Sequence, residues 1–179
     1  NLENSDLTEC FFGETSYLKL GVDITQCAYQ PRRRKLAVTL SDSNVCIVDI
    51  NSQIVVQYLQ GHKHTVNAVD FHPNKPLVVT GGLDTTIKVW DENTGICLQE
   101  IVQHLGNVTV VRFSKDGSYF ASSGEEGDIY IWQTADYVCV QQMRGDHEEI
   151  FDLDFDNTNQ YLISTNRLGV IAIWDLLRG

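Results

Sequence analysis

The chain has 179 residues, of which 42% are hydrophobic, 9% aromatic and 21% charged, a globular balance with enough apolar material for a substantial core. Thirteen basic against 24 acidic residues give a formal net charge of -11, which repels nucleic-acid phosphates and anionic lipid and favours basic partners. No apolar stretch is long enough to cross a membrane as a helix. Five cysteines without a C-x-x-C pair argue against a disulfide framework and a zinc site, and fit a reducing compartment, cytoplasm or nucleus.

Residues 1–19 contain Phe11-Phe12 and Tyr17-Leu18-Lys19, apolar material for a strand that could close a sheet. From there the chain divides into four units in one gapless register: 20–60, 61–101, 102–143 and 144–179. Each opens with a strand whose columns are Ile24, Val66, Val108, Ile150, then Cys27, Val69, Val111, Leu153, then Tyr29, Phe71, Phe113, Phe155. Breakers follow, from Pro31 to Asn157-Thr158-Asn159. The basic run Arg32-Arg33-Arg34-Lys35 falls in the first of these turns and reads as a solvated hairpin.

Second strands are expected at Lys35–Leu40, Leu77–Gly81, Tyr119–Ser123 and Tyr161–Thr165. Third strands are the β-branched runs Ile87–Trp90, Ile129–Trp132 and Ile171–Trp174, each ending in a tryptophan 42 residues from the next. In the first unit the same run, Val45–Asp49, lacks the tryptophan. Fourth strands are expected at Ile54–Leu59, Ile96–Ile101 and Val138–Gln142, and the last unit has none. Cys97 and Cys139 share a column with Val55, which reads as a small buried hydrophobe. A period of 40–45 residues with four strands per unit indicates an all-β protein, a β-propeller of four-stranded antiparallel blades.

Gly61-His62 stands 28 residues before Trp90-Asp91, and over residues 20–179 the chain resembles the WD-repeat family of β-propellers. His62, Thr80 and Asp84 could suggest a nucleophilic triad, but the columns recur as His104, Ser122 and Glu126. A catalytic site occurs once, whereas a scaffold bond recurs in every blade. The resemblance implies a structural hydrogen-bond network: His62, Thr80, Asp84 and Trp90 in the second unit, and His104, Ser122, Glu126 and Trp132 in the third. Only Ser164 and Trp174 remain in the fourth, where Asp146 and Leu168 occupy the histidine and acid columns. The first unit keeps only Asp42, with Leu20, Val38 and Val48 in the other columns. No catalytic, cofactor or metal residues are assigned; His62 and His64 have no ligand cluster beside them.

The resemblance further implies that partners meet the face built from the loops entering the first strand and linking the second and third. That places Asn67, Leu83, Thr109, Glu125, Glu149, Phe151 and Arg167 on the binding face, positions that vary between units while the core columns do not. Phe151 is aromatic where the other units have Thr25, Asn67 and Thr109. The stretch from Asp146 to Asp156 is rich in acids and could receive Lys- or Arg-bearing peptides. Asp152 replaces Ala68 and Val110, as a buried carboxylate or a group lining the axis. Family members commonly have about seven blades, so four units call for further blades in a longer protein, a second copy, or closure by residues 1–19. The expectation is a non-enzymatic scaffold of a multiprotein complex that binds proteins or peptides. The alternative is a reader of basic tails.

Overall fold

The structure is a computed structural model that describes residues 18–177. The closing-strand expectation for residues 1–19 therefore lies almost wholly outside the described residues. Among these, fifteen strands make four antiparallel sheets. The first contains β1 (Ile24–Gln30), β2 (Lys35–Leu40), β3 (Val45–Asp49) and β4 (Ile54–Leu59). The second contains β5 (Val66–Phe71), β6 (Leu77–Gly82), β7 (Ile87–Asp91) and β8 (Cys97–Ile101). The third contains β9 (Val108–Phe113), β10 (Tyr119–Gly124), β11 (Ile129–Gln133) and β12 (Cys139–Met143). The fourth has three strands, β13 (Ile150–Phe155), β14 (Tyr161–Asn166) and β15 (Ile171–Asp175). Each sheet is a meander in chain order, and β1 packs on β5, β5 on β9 and β9 on β13. The sheets are thus blades of a propeller, set side by side along an arc that is not closed.

Every junction is built the same way. One face of a blade presents aliphatic side chains to the next blade in the chain: Val45 and Ile47 from blade one, Ile87 and Val89 from blade two, Ile129 and Ile131 from blade three. The opposing face offers an aromatic or leucine layer: Phe71 and Trp90, then Phe113, Phe120 and Trp132, then Phe155 and Leu162 with Trp174. Period-two alternation sorts the two sets onto opposite faces of each sheet. Approach is close enough that a Cβ on Gly81 would lie 2.4 Å from a Val108 methyl, so the second strand there needs a glycine. Blade four carries the same aliphatic face, but Ile171 and Ile173 are each 71% exposed on it.

Polar side chains lace neighbouring blades near the axis. Gln26 Oε1 accepts from Val69 N at 2.8 Å, and Asp70 Oδ2 accepts from Phe113 N at 2.7 Å. The Thr25 hydroxyl donates to the Val66 carbonyl at 2.6 Å.

Two expectations need correcting. Cys97 and Cys139 are exposed rather than buried, because the outer strand has no neighbour beyond it; among the described residues the buried thiol is Cys46, pushed up to about 11 by desolvation. The basic turn is only partly solvated. Arg33 and Lys35 reach across the junction to the buried carboxylate of Glu92, at 2.9 and 2.8 Å, and the Arg33 guanidinium lies over the Phe71 ring. A buried carboxylate is stable only when its charge is met, and these two cations meet it. Glu92→Gln should cost about 1–3 kcal/mol, since both cations keep some solvent. Denaturant midpoints of the wild type, Glu92→Gln and Glu92→Gln/Arg33→Gln would check this, with the two substitutions coupled rather than additive.

Candidate functional site

The polar network follows a single proton order. In blade two the Trp90 indole N–H donates to Thr80 Oγ1 at 2.8 Å, and Thr80 Oγ1 lies 2.7 Å from His62 Nε2. His62 Nδ1 lies 2.9 Å from Asp84 Oδ2. Because the indole can only donate and the carboxylate only accept, Thr80 donates to Nε2 and Nδ1–H donates to Asp84. Burial lowers the His62 pKa despite the Asp84 charge beside it, which keeps the imidazole neutral, as that order requires. Burial alone would raise the Asp84 carboxyl, but the Lys63 N–H, His62 and the Thr86 hydroxyl hold it below the usual carboxylate range.

Blade three repeats the order with a longer acid. Trp132 donates to Ser122 Oγ at 2.9 Å, Ser122 Oγ lies 2.8 Å from His104 Nε2, and His104 Nδ1 bonds Glu126. In blade four Trp174 donates to Ser164 Oγ at 2.9 Å, but no imidazole continues the chain; Asp146 instead accepts from the Asn166 amide. In blade one Val38 and Val48 are buried with Leu20 packed beside them, an apolar replacement of the tryptophan, hydroxyl and histidine that strands no buried polar atom. Thr80 and Ser122 are fully buried and their hydroxyls committed, so neither is open to a substrate. Among the described residues no group of three His, Cys, Asp or Glu side chains is placed to hold a metal ion.

One backbone bond recurs in every blade, at the same end as the histidine and acid of this network. The N–H of Ser41, Leu83, Glu125 and Arg167 donates to the carbonyl of Asp23, Thr65, Asn107 and Glu149 respectively. It pins the loop entering the first strand to the loop between the second and third, and so gathers the seven expected face positions at one end of the blades. Leu83, Glu125, Phe151 and Arg167 are exposed there, with Phe151 54% exposed. Asn67, Thr109 and Glu149 are half-buried. The Thr109 hydroxyl donates to the Ile150 carbonyl of the next blade, and Glu125 accepts from the Asn107 amide at 2.7 Å. Glu149 lies 3.8 Å from Arg167. In the acidic stretch, Asp152 is exposed at the inner edge and paired with Arg112 at 2.8 Å, and Asp154 is paired with Lys115 at 2.6 Å.

Sequence reasoning missed Asp70. Its column holds Ala28, Arg112 and Asp154, so nothing periodic marked it. Its two oxygens accept from Phe71 N and Phe113 N, while desolvation pushes the carboxyl up to about 6 against the pull of those bonds and of Arg112.

Residues 53–91, 95–133 and 137–175 each match the family described as WD domain, G-beta repeat. The chain belongs to that family. Each matched WD repeat begins just before an outer strand and ends at the third strand of the following blade, so a repeat straddles two sheets. Among curated proteins the chain is similar to the U5 small nuclear ribonucleoprotein 40 kDa protein of Pongo abelii, 31% identical over 62 residues (35% of this chain, 17% of that protein). It is 40% identical over 53 residues to the protein of that description in Dictyostelium discoideum (30% of this chain, 15% of that protein). It is also similar to the U3 small nucleolar RNA-associated protein 21 of Saccharomyces cerevisiae, 35% identical over 69 residues (38% of this chain, 7% of that protein). The matched stretches thus span less than a fifth of each relative's length.

Two measurements bear on these residues. Thr80→Val leaves the Trp90 and His62 nitrogens without their shared partner and should cost roughly 1–3 kcal/mol, read as a lower denaturation midpoint. Asp70 has a folded pKa above its ordinary value of 3.8, so its ionised form penalises the fold. That penalty is full above about pH 6 and is relieved as the pH falls from there towards 3.8. Asp70→Asn keeps an acceptor for Phe113 N–H without the charge. Melting temperature measured from pH 7.5 to 4.5 should therefore rise in the wild type relative to Asp70→Asn.

Proposed function

We propose that this WD-repeat chain is a non-enzymatic interaction scaffold in a nuclear ribonucleoprotein assembly, with partners docking on the face that carries Phe151 and Arg167. The observation that carries the reading is the contrast within each repeat. His62, Thr80 and Trp90 are used up in holding the blade, whereas the pinned loops above them present an exposed aromatic and unlike side chains from blade to blade. A rigid frame with variable tips suits recognition better than turnover. The names of two relatives, which refer to a U5 small nuclear ribonucleoprotein and to association with U3 small nucleolar RNA, support the class of assembly and a nuclear site of action.

The exposed aliphatic face of blade four supports a second element of the reading: a further blade seats there in the intact protein. Three earlier junctions of the chain cover the same face with an aromatic layer. The first blade of a second copy is a poorer occupant, because Val38, Leu40, Cys46 and Val48 on its rear face are already buried. Reading of basic tails has less support, since Asp152 and Asp154 already meet Arg112 and Lys115 within the chain.

The test is co-purification of the tagged full-length protein with U5 and U3 RNA, quantified by reverse-transcription PCR. Enrichment of one RNA, reduced at least fivefold by Phe151→Asp/Arg167→Glu at unchanged melting temperature, is the expected result. Enrichment of neither would remove the ribonucleoprotein reading, and enrichment indifferent to the substitutions would move the docking surface elsewhere.

A further inference from the structure

At the end of the blades opposite the Phe151 face, a cavity of about 440 Å³ opens between blades two and three. Its walls include His72, Lys75, Asp116, Gly117 and Thr134. Two of these side chains are more than nine-tenths buried, and two of their polar atoms, His72 Nε2 and Thr134 Oγ1, make no hydrogen bond among the described residues. Buried polar atoms without partners are uncommon and call for an explanation.

His72 is fixed as a donor. Its Nδ1 accepts from the backbone N–H groups of Asn74 and Lys75, at 3.0 and 2.9 Å, so the ring proton must sit on Nε2. The ring rests on Gly117, where φ is +80° and a Cβ would come within 2.5 Å of Nε2; the Gly117 carbonyl is near but outside hydrogen-bond geometry. Lys75 is exposed, and its ammonium forms no ion pair among the described residues. Asp116 already accepts from the Ser114 hydroxyl and from the Ser118 N–H and hydroxyl. The groups left over are therefore two donors, Lys75 Nζ and His72 Nε2–H, with a hydroxyl that can act as a third.

The preceding junction of the same chain shows what such groups hold. One period back, Thr134 corresponds to Glu92 and Lys75 to Arg33. There the Glu92 carboxylate is buried between blades and receives Arg33 at 2.9 Å and Lys35 at 2.8 Å. Between blades two and three the cation is kept, the carboxylate is replaced by a shorter hydroxyl, and a void remains beside it. We infer that this void is a binding site for a side-chain carboxylate of a protein partner, an Asp or Glu that enters between blades two and three and takes up the bonds of Lys75, His72 and Thr134. The site is independent of the Phe151 face, and its failure would leave the scaffold reading untouched.

The test is titration of the full-length protein with an acetylated, amidated peptide containing Ala-Glu-Ala, followed by the NMR signals of the His72 ring. A saturable shift is expected, at least tenfold weaker for the Ala-Gln-Ala peptide. Lys75→Ala should weaken binding at least threefold. Thr134→Glu supplies the carboxylate from within the chain, so it should abolish binding while raising the melting temperature, a gain lost again in Thr134→Glu/Lys75→Ala. Equal binding of the Glu and Gln peptides, an unshifted His72 ring, or binding that survives Thr134→Glu would each overturn the proposal. A response only to a peptide with a free carboxyl terminus would overturn the side-chain source.

Discussion

The structure depends on one repeated contact, the seating of an aliphatic sheet face against the aromatic face of the next blade. A four-stranded sheet alone buries little, and a blade has two faces to cover. Ile87 and Val89 cannot leave water unless Phe120 and Trp132 arrive from the following 42 residues, and those rings are in turn covered only from behind. Stability is thus shared between neighbours rather than held within units, as in other repeat proteins.

The polar network is subordinate to that contact. Trp90 is buried because blade one covers it, and a covered indole N–H needs an acceptor; Thr80, His62 and Asp84 pass the demand outward until a carboxylate bonded to the Lys63 and Thr86 N–H groups ends it. Blade one, where Val48 stands in the tryptophan column, has no such N–H and drops the hydroxyl and the histidine, keeping only Asp42, which accepts from the Asn44 N–H. Blade two gives every member of its network a partner, and blade one removes the buried groups that would need one.

Much of the architecture was legible from three tryptophans and their period, because an invariant spacing requires equivalent surroundings. The hydroxyl and histidine columns were legible for the same reason. A repeat shows which residues share an environment, however, and not what that environment is: Cys97 and Cys139 are equivalent, yet both lie on an open outer strand rather than in the core. Features that break the period were harder to see. Glu92 stands in a column with Ile50, Thr134 and Leu176, and its partners Arg33 and Lys35 come from a turn and the start of a strand in another blade. Asp70 likewise shares its column with Ala28, Arg112 and the exposed Asp154, and only its depth and its bond to Phe113 distinguish it.

The offset between matched repeat and sheet has a consequence for how such a chain can change. Since residues 53–91 supply the outer strand of one blade and the inner three of the next, every unit is stitched to its predecessor like overlapping roof tiles. Duplicating one unit adds a whole sheet without leaving a ragged edge on either side. Deleting half of one would spoil two sheets at once. Growth and loss by complete periods are therefore the tolerated moves, and the number of blades can drift while the joint between them stays fixed.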